Sequence, residues 1–287
     1  MFRRFRAVLA AAALAVLVAG CGAAVVPQIM NDSERVPLAR KLADKGDFAL
    51  AAEVLKSYTQ SGAGNADIDQ AVYLLGVVQL RQKEWVEAQT HFERVLRDYP
   101  ESDSAASASY RLGEAFFGQS RGSDFDQEYT LKALAQWEGF VKSAPEHPFA
   151  AAAQERIALC RNRLAKKLWR SGDVYYKQAL YEPALVYFRS VLSDYADTPA
   201  YGDALIGLAL TDARLGRKDT ALVVLQNLEK DFAGKPLGLE AGKWRAKVEK
   251  WPAAGDTRRR RNKSMEPTQA PQLPSVPANT GGISGTP

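Results

Sequence analysis

Very few groups in this chain of 287 residues are of a type that could do chemistry. There are two cysteines, Cys21 and Cys160, and two histidines, His91 and His147. Catalysis needs a convergent set of groups whose pKa values are tuned by one another. His91 stands beside Phe92 in a helical stretch, and His147 sits in the turn Pro145-Glu146-His147-Pro148, with no Cys or carboxylate cluster around either at metal-ligand spacing. Asp67 with Asp69, and Asp124 with Asp126, are close pairs in turn-like segments. Both lack the full oxygen set of a calcium loop, so they read as helix-capping or solvated residues. No phosphate-cradling glycine loop and no nucleophile elbow is present. Cys160 closes the helical pattern Ala151 to Cys160 and reads as a small buried side chain rather than a nucleophile. The expectation is a non-enzymatic chain with no catalytic residues, no cofactor and no metal.

The other cysteine is different. Arg3, Arg4 and Arg6 precede the 12-residue apolar run Val8 to Ala19, which is too short for a comfortable bilayer span and suits a signal segment. Leu17-Val18-Ala19-Gly20-Cys21 then resembles the lipobox of a bacterial lipoprotein. The alternative is an ordinary secretory peptide cleaved near Ala19. On the lipobox reading residues 1–20 are a signal peptide, and Cys21 is the first mature residue. Its thiolate takes a diacylglycerol group as a thioether, and the new N-terminus is then acylated, for example with palmitate. Two or three acyl chains anchor stably where one binds marginally. Gly22, where Asp would favour the inner membrane, directs the chain to the periplasmic face of the outer membrane of a Gram-negative bacterium. Residues 21–33 read as a lipid-anchored tether.

With Cys21 acylated, Cys160 has no intramolecular partner, and apolar packing alone must hold the fold. That fold is repetitive. Gly76, Trp85, Ala88, Phe92, Val95 and Pro100 recur in order as Gly113, Ala133, Trp137, Phe140 and Pro145, and again as Gly172, Tyr181, Ala184, Phe188, Val191 and Ala196. Ala209, Gly216, Ala221, Leu225, Leu228 and Ala233 form another copy, and Gly46, Phe48, Ala51 and Leu55 a degenerate first one. The alanines at 51, 88, 133, 184 and 221 are separated by 37, 45, 51 and 37 residues. These units resemble tetratricopeptide (TPR) repeats, each a helix, a turn and a second helix. Small residues let the two helices approach, large aromatics fill the space between units, and Pro100 and Pro145 end the second helix. The expected fold class is all-α: an α-solenoid of about five TPR-like helix pairs over residues 34–251, with a C-terminal capping helix.

Two irregularities interrupt the array. The segment from Gly118 to Tyr129 makes the third unit about eight residues longer than the second. The next helix, about Phe149 to Lys177, carries a stripe of Ala153, Ile157, Leu164, Leu168 and Val174 and is long enough to bridge two halves. At the end, Ala241, Trp244, Val248 and Trp251 share one helical face, which is either the inner side of a capping helix or an exposed docking face. Residues 252–287 are basic and then rich in proline and glycine, a composition that buries too little surface to offset its ordering entropy. The formal net charge of +5 is concentrated at the ends, in the three signal arginines and in Arg258-Arg259-Arg260-Arg261 with Lys263. The near-neutral body argues against nucleic acid as a partner. The arginine run has three readings: a contact to anionic lipid headgroups, a contact to an acidic partner, or a solvated end.

A family resemblance rests on four stretches. They are Trp137-Glu138-Gly139-Phe140-Val141 with Pro145-Glu146-His147-Pro148; Arg156 to Ala165; Val174-Tyr175-Tyr176-Lys177; and Tyr181-Glu182-Pro183-Ala184-Leu185 leading to Val191 through Pro199. Together they resemble the assembly lipoproteins of the outer-membrane β-barrel assembly machinery, the BamD-like family. The resemblance spans roughly residues 35 to 251 and is specific from about 131 to 200. It implies a scaffold that binds the barrel-forming subunit and its accessory lipoproteins through the C-terminal half, and the C-terminal segments of unfolded clients through the N-terminal half. By location, Tyr181, Tyr187, Arg189 and Arg214 fall in the docking half, joined by the aromatic face of Trp244 and Trp251. Tyr73, Arg81, Tyr110 and Phe116 fall in the client half. The first repeat departs from the pattern, with Ser57 to Gly62 in place of an aromatic and proline ending. An adaptor for another envelope complex, such as a pilus, secretion or cell-division assembly, is the alternative function.

Overall fold

Four of the repeats turn from first helix to second through the same backbone device. A computed structural model describes residues 31–61 and 66–252, and the signal segment, Cys21, the tether up to residue 30 and the tail from residue 253 lie outside the described residues. Among the described residues there are eleven α-helices and no strands. In the first of two compact units α1 spans Arg35–Lys45, α2 Phe48–Ser61, α3 Ile68–Gln82, α4 Trp85–Asp98, α5 Ala105–Gln119 and α6 Glu128–Ser143. The 28-residue α7, Ala150–Lys177, begins in that unit and ends in the second, the division falling between Leu164 and Ala165. The second unit continues with α8 at Tyr181–Asp194, α9 at Ala200–Arg214, α10 at Lys218–Asp231 and α11 at Pro236–Glu249. The helices form five stacked pairs followed by a C-terminal helix, with solenoid-like packing inside each unit.

The shared turn is a left-handed residue after the first helix of a pair. It is Gly46 (φ 87°), Lys83 (φ 61°), Ala179 (φ 60°) and Gly216 (φ 92°). The amide after each one bonds five residues back in the chain: Asp47 to the Leu42 carbonyl, Glu84 to Gln79, Leu180 to Tyr175 and Arg217 to Asp212, all at 2.8–2.9 Å. This satisfies carbonyls that the helix end leaves open and reverses the chain at a fixed angle. In the third pair the eight residues Ser120 to Gln127 replace that turn. The insertion carries its own supports. Gln127 donates to the carbonyls of Gly122 and Phe125, both at 2.9 Å, and its Oε1 accepts from Thr130 at 2.9 Å. Arg163 donates to Ser120 and to the Arg121 carbonyl, and its guanidinium lies 4.3 Å over the Phe117 ring.

Packing within pairs follows the sequence register. Ala51, Ala88, Ala133, Ala184 and Ala221 are all fully buried. Opposite them, a methyl group added at Gly76 would come within 2.7 Å of the Phe92 ring, and one at Gly113 within 2.5 Å of the Trp137 indole. Each aromatic therefore sits against the glycine of its own pair as well as filling the space toward the next. Phe188 does both at once: added methyls at Gly172 and at Gly207 would come within 2.7 and 2.6 Å of its ring. The first pair closes with an aromatic after all, since Tyr58 is buried and its hydroxyl bonds the Asp67 carboxylate.

Two expectations are revised in detail. Val174 is 50% exposed, and the buried line of α7 runs through Ala153, Cys160, Leu164, Ala165 and Gly172 instead. With 3.6 residues per turn, Gly172 rather than Val174 falls in line with Leu164 and Ala165. Asp69 neither caps a helix nor stands in solvent: it accepts a hydrogen bond from Ser102, tying α3 to the turn before α5, while Asp126 does take the Glu128 amide at 2.6 Å. His147 is structural. Its Nδ1 accepts from the Phe149 amide at 3.1 Å, its Nε2 lies 3.3 Å from the Ser107 hydroxyl, and its ring stands edge-on to Phe140.

In the second unit, Ile206, Ala209 and Leu210 of α9, Ala221, Leu225 and Leu228 of α10, and Ala241 and Val248 of α11 form one buried cluster. Trp244 and Trp251 are half-buried against it, so the aromatic face of the last helix points inward and caps the array. Gly238 is required where α11 starts, because an added methyl would come within 2.2 Å of the Phe232 carbonyl oxygen.

Candidate partner-binding site

The first unit carries a hollow of about 300 Å³ along its helices. Val77, Leu80 and Arg81 of α3 form one wall, and Arg111, Glu114, Phe117 and Gly118 of α5 the other. Trp85, Trp137 and Arg156 complete the lining. A second hollow of about 460 Å³, between α1 and α3, shares Val77 and Arg81 and adds Arg40, Asp44, Lys45 and Phe48. Arg81 stands where the two adjoin.

Arg111 is the most constrained group here. It donates to Glu114 at 2.5 Å, and its guanidinium lies 5.0 Å over Phe149 and 5.6 Å over Tyr110. Its Nε is buried and makes no hydrogen bond among the described residues. Burial alone would lower its pKa, but the Glu114 carboxylate and the Tyr73 hydroxyl bonded to it outweigh that and hold it charged. A hollow that combines fixed cations, one carboxylate and aromatic walls can take an extended segment bearing apolar side chains and an anionic group.

Of the residues expected in the client half, Arg81 lines both hollows and is exposed. Tyr73 is half-buried, bonded to Arg111 and 6.0 Å from the Phe92 ring. Tyr110 is only 4% exposed, packed at tilted angles among the rings of Trp137, Phe140 and Phe149. Phe116 packs half-buried behind it. These two support the wall rather than line it. Sequence reasoning missed Arg111, Glu114 and Arg156. A signal was available: with Gly76 aligned to Gly113, Arg111 and Glu114 occupy the places of Leu74 and Val77.

In the second unit Arg214 and Trp251 are brought together, the guanidinium 3.8 Å over the indole. Tyr187 is half-buried and stacked on Tyr175 at 5.3 Å and 14°, and burial, then Tyr175, pushes its hydroxyl pKa up. Tyr181 lies 5.8 Å from Tyr176, and Arg189 is exposed on α8. His91, on α4 in the first unit, is half-buried with Nδ1 unbonded among the described residues; burial, then Arg94 and Lys56, lowers its pKa. Cys160 is fully buried, and its thiol is pushed up to about 12 by that burial. No described helix is long and apolar enough to cross a membrane.

The chain is 25% identical over 219 residues to an outer membrane protein assembly factor BamD from Caulobacter vibrioides, covering 74% of this chain and 72% of that one. Among solved structures it is similar to a TPR repeats protein from Bacteroides fragilis, with 14% identity, 77% and 99% coverage and a TM-score of 0.42. It is also similar to a thermophilic TPR protein from Thermus thermophilus, with 17% identity, 76% and 99% coverage and a TM-score of 0.35. The sequence profile of the YfiO family, described as "Outer membrane lipoprotein", matches residues 35–226, and with its five helix pairs the chain belongs to that family.

Proposed function

We propose that this chain is a non-catalytic periplasmic scaffold lipoprotein of the outer-membrane β-barrel assembly machinery. It is held to the outer membrane through acylated Cys21. It binds the barrel-forming subunit, with accessory lipoproteins, and receives client peptides. The observation that carries the client part is the hollow between α3 and α5. There Arg81, Arg111 and Arg156 converge beside Trp85, Phe117 and Trp137. Tyr73, Tyr110 and Phe116 act from behind that wall. Docking of the barrel-forming subunit is assigned to the second unit, at Tyr181, Tyr187, Arg189 and Arg214 with the Trp244 and Trp251 edge.

The test is a mild-detergent pull-down of the full protein from native membranes, with crosslinking and mass identification. A large outer-membrane β-barrel recovered at fixed stoichiometry supports the reading. Recovery of a different envelope complex without such a barrel sinks it and leaves a TPR adaptor.

A further inference from the structure

The two hollows of the first unit belong to one surface. The left-handed turn residues Gly46 and Lys83 set the register of the first two repeats, and in it Arg40 of α1 occupies the place of Val77 of α3. The register of Gly76 with Gly113 puts Glu114 of α5 at the same place in the third repeat. Arg40, Val77 and Glu114 thus form a row across three successive first helices. Val77 and Arg81 line both hollows, so the row passes from one into the other without a break.

The two ends of the row differ in chemistry. Between α3 and α5 the walls are aromatic, and Arg111 is already held by Glu114 and Tyr73. Between α1 and α3 the floor is aliphatic, with Leu74 and Val78 buried at the bottom. The charged groups there are Arg40, Lys45 and Arg81 against the carboxylate of Asp44. All four are exposed, and none of them forms an ion pair among the described residues. An excess of positive charge above an apolar floor suits an extended segment that carries acidic side chains. A flat membrane surface would meet the cations but leave the floor of the hollow uncovered.

We propose that the hollow between α1 and α3 is a second subsite of the client groove, taking acidic side chains of the same peptide at Arg40 and Lys45. The proposal rests on the client reading of the first hollow. Arg81, common to both hollows, serves the stretch between them. The geometry sets the spacing. α3 packs against both α1 and α5. Packed helices lie about 8–10 Å apart, so the step from α5 to α1 is about 16–20 Å. An extended chain rises about 3.3 Å per residue, so the acidic side chains stand about five or six residues from the anionic group held at Arg111. The groove then selects by two separated features, an apolar end bearing an anion and an acid at a fixed distance from it.

The test is fluorescence anisotropy on the full chain in mild detergent, with three labelled peptides of about twelve residues. All three end in an aromatic residue with a free carboxylate. The first has no other acid. The second has glutamates five and six residues before the last, and the third has the same two glutamates nine and ten residues before it. The second is expected to bind about three- to tenfold more tightly than the first, and the third less than about twofold more tightly. The gain should vanish near 1 M salt, where the screening length is about 3 Å. In the variant with Arg40→Gln and Lys45→Gln, the first and second peptides should bind alike, with the affinity of the first unchanged. Both positions are exposed, so circular dichroism should not change.

No gain from the second peptide, an equal gain from the third, or a gain that survives in the double variant overturns the proposal and leaves the client reading standing. If the gain is missing and phosphatidylglycerol vesicles are retained by the unaltered chain but not by the double variant, the cations belong to lipid headgroups. Failure of all three peptides to bind overturns both readings.

Discussion

The two compact units use one construction and put it to different ends. Both bury alanines of the second helix, both seat an aromatic of that helix against a glycine of the first, and both reverse the chain through a left-handed residue and a hydrogen bond that closes a six-residue turn. In the first unit the third repeat exchanges that turn for the Ser120 to Gln127 insertion, and two apolar positions of the preceding repeat become Arg111 and Glu114. The wall between α3 and α5 is left open and charged. In the second unit α11 closes the array, and Trp244 and Trp251 serve its own core. A repeat scaffold is thus specialised by the places where it departs from its own register. The positions that keep to register supply stability.

The contrast can be broken hardest at its shared packing. Trp137→Ala removes the largest fully buried side chain of the first unit, together with the indole hydrogen bond to the Tyr110 carbonyl. It should cost about 3–5 kcal/mol in urea unfolding. A loss below the range of a surface substitution would mean that the third repeat is not held by this contact. Cys160 probes the same unit alone, because the second has no cysteine. Its thiol, normally near 9.0 and pushed up to about 12 by burial, should alkylate with iodoacetamide about a thousandfold more slowly than the unfolded chain at pH 8. The sign of the linked stability follows. Above pH 9 the unfolded chain loses this proton while the folded chain keeps it, so stability should fall as pH rises from 9 toward about 12.

Gly238→Ala attacks the second unit's closure, forcing a methyl against the Phe232 carbonyl. A loss of about 1–3 kcal/mol is expected, with hydrogen-exchange protection lost first in α10 and α11. Arg111→Leu sharpens the comparison instead, because it restores the residue type of the preceding repeat. Affinity for a peptide ending in an aromatic residue and a free carboxylate should drop about tenfold in fluorescence anisotropy, with helix content unchanged. Unaltered affinity would remove Arg111 from the proposed client site. The smallest effect is at the turns. Ala179→Gly in the second unit and Lys83→Gly in the first relieve a left-handed conformation at a residue with a Cβ. Each should gain about 0.5–1 kcal/mol in thermal or urea unfolding.

Legibility in the sequence followed the same division. The alanines from Ala51 to Ala221 could be read directly, since a fully buried helix contact tolerates little else and recurs at each unit. Gly46 and Gly216 announced their turns, whereas Lys83 and Ala179 adopt the same conformation without a residue type that favours it: the repeat imposes what local preference does not. Arg111, Glu114 and Arg156 were invisible one at a time, because charged residues on a helix are usually solvated. Only comparison with Leu74 and Val77 marks them. Tyr110 illustrates the reverse case. Its ring is core, and its hydroxyl is bonded by Arg156, so it holds a wall of the hollow without facing into it. In α7, Val174 failed as a core residue because a stripe read over 28 residues drifts from the true buried line within a few turns.

Phe188 has a consequence for how the second unit comes apart. One ring occupies the notch at Gly172 of its own repeat and the notch at Gly207 of the next. Unfolding in a repeat array advances as a front, with each neighbour interface setting the toll for the next step. Fraying that begins at α11 can release α10 at modest cost. To free α9 it must pull that surface off a ring still seated in the preceding repeat. The front should stall there, leaving a partly unzipped chain in which α8 and the end of α7 remain folded.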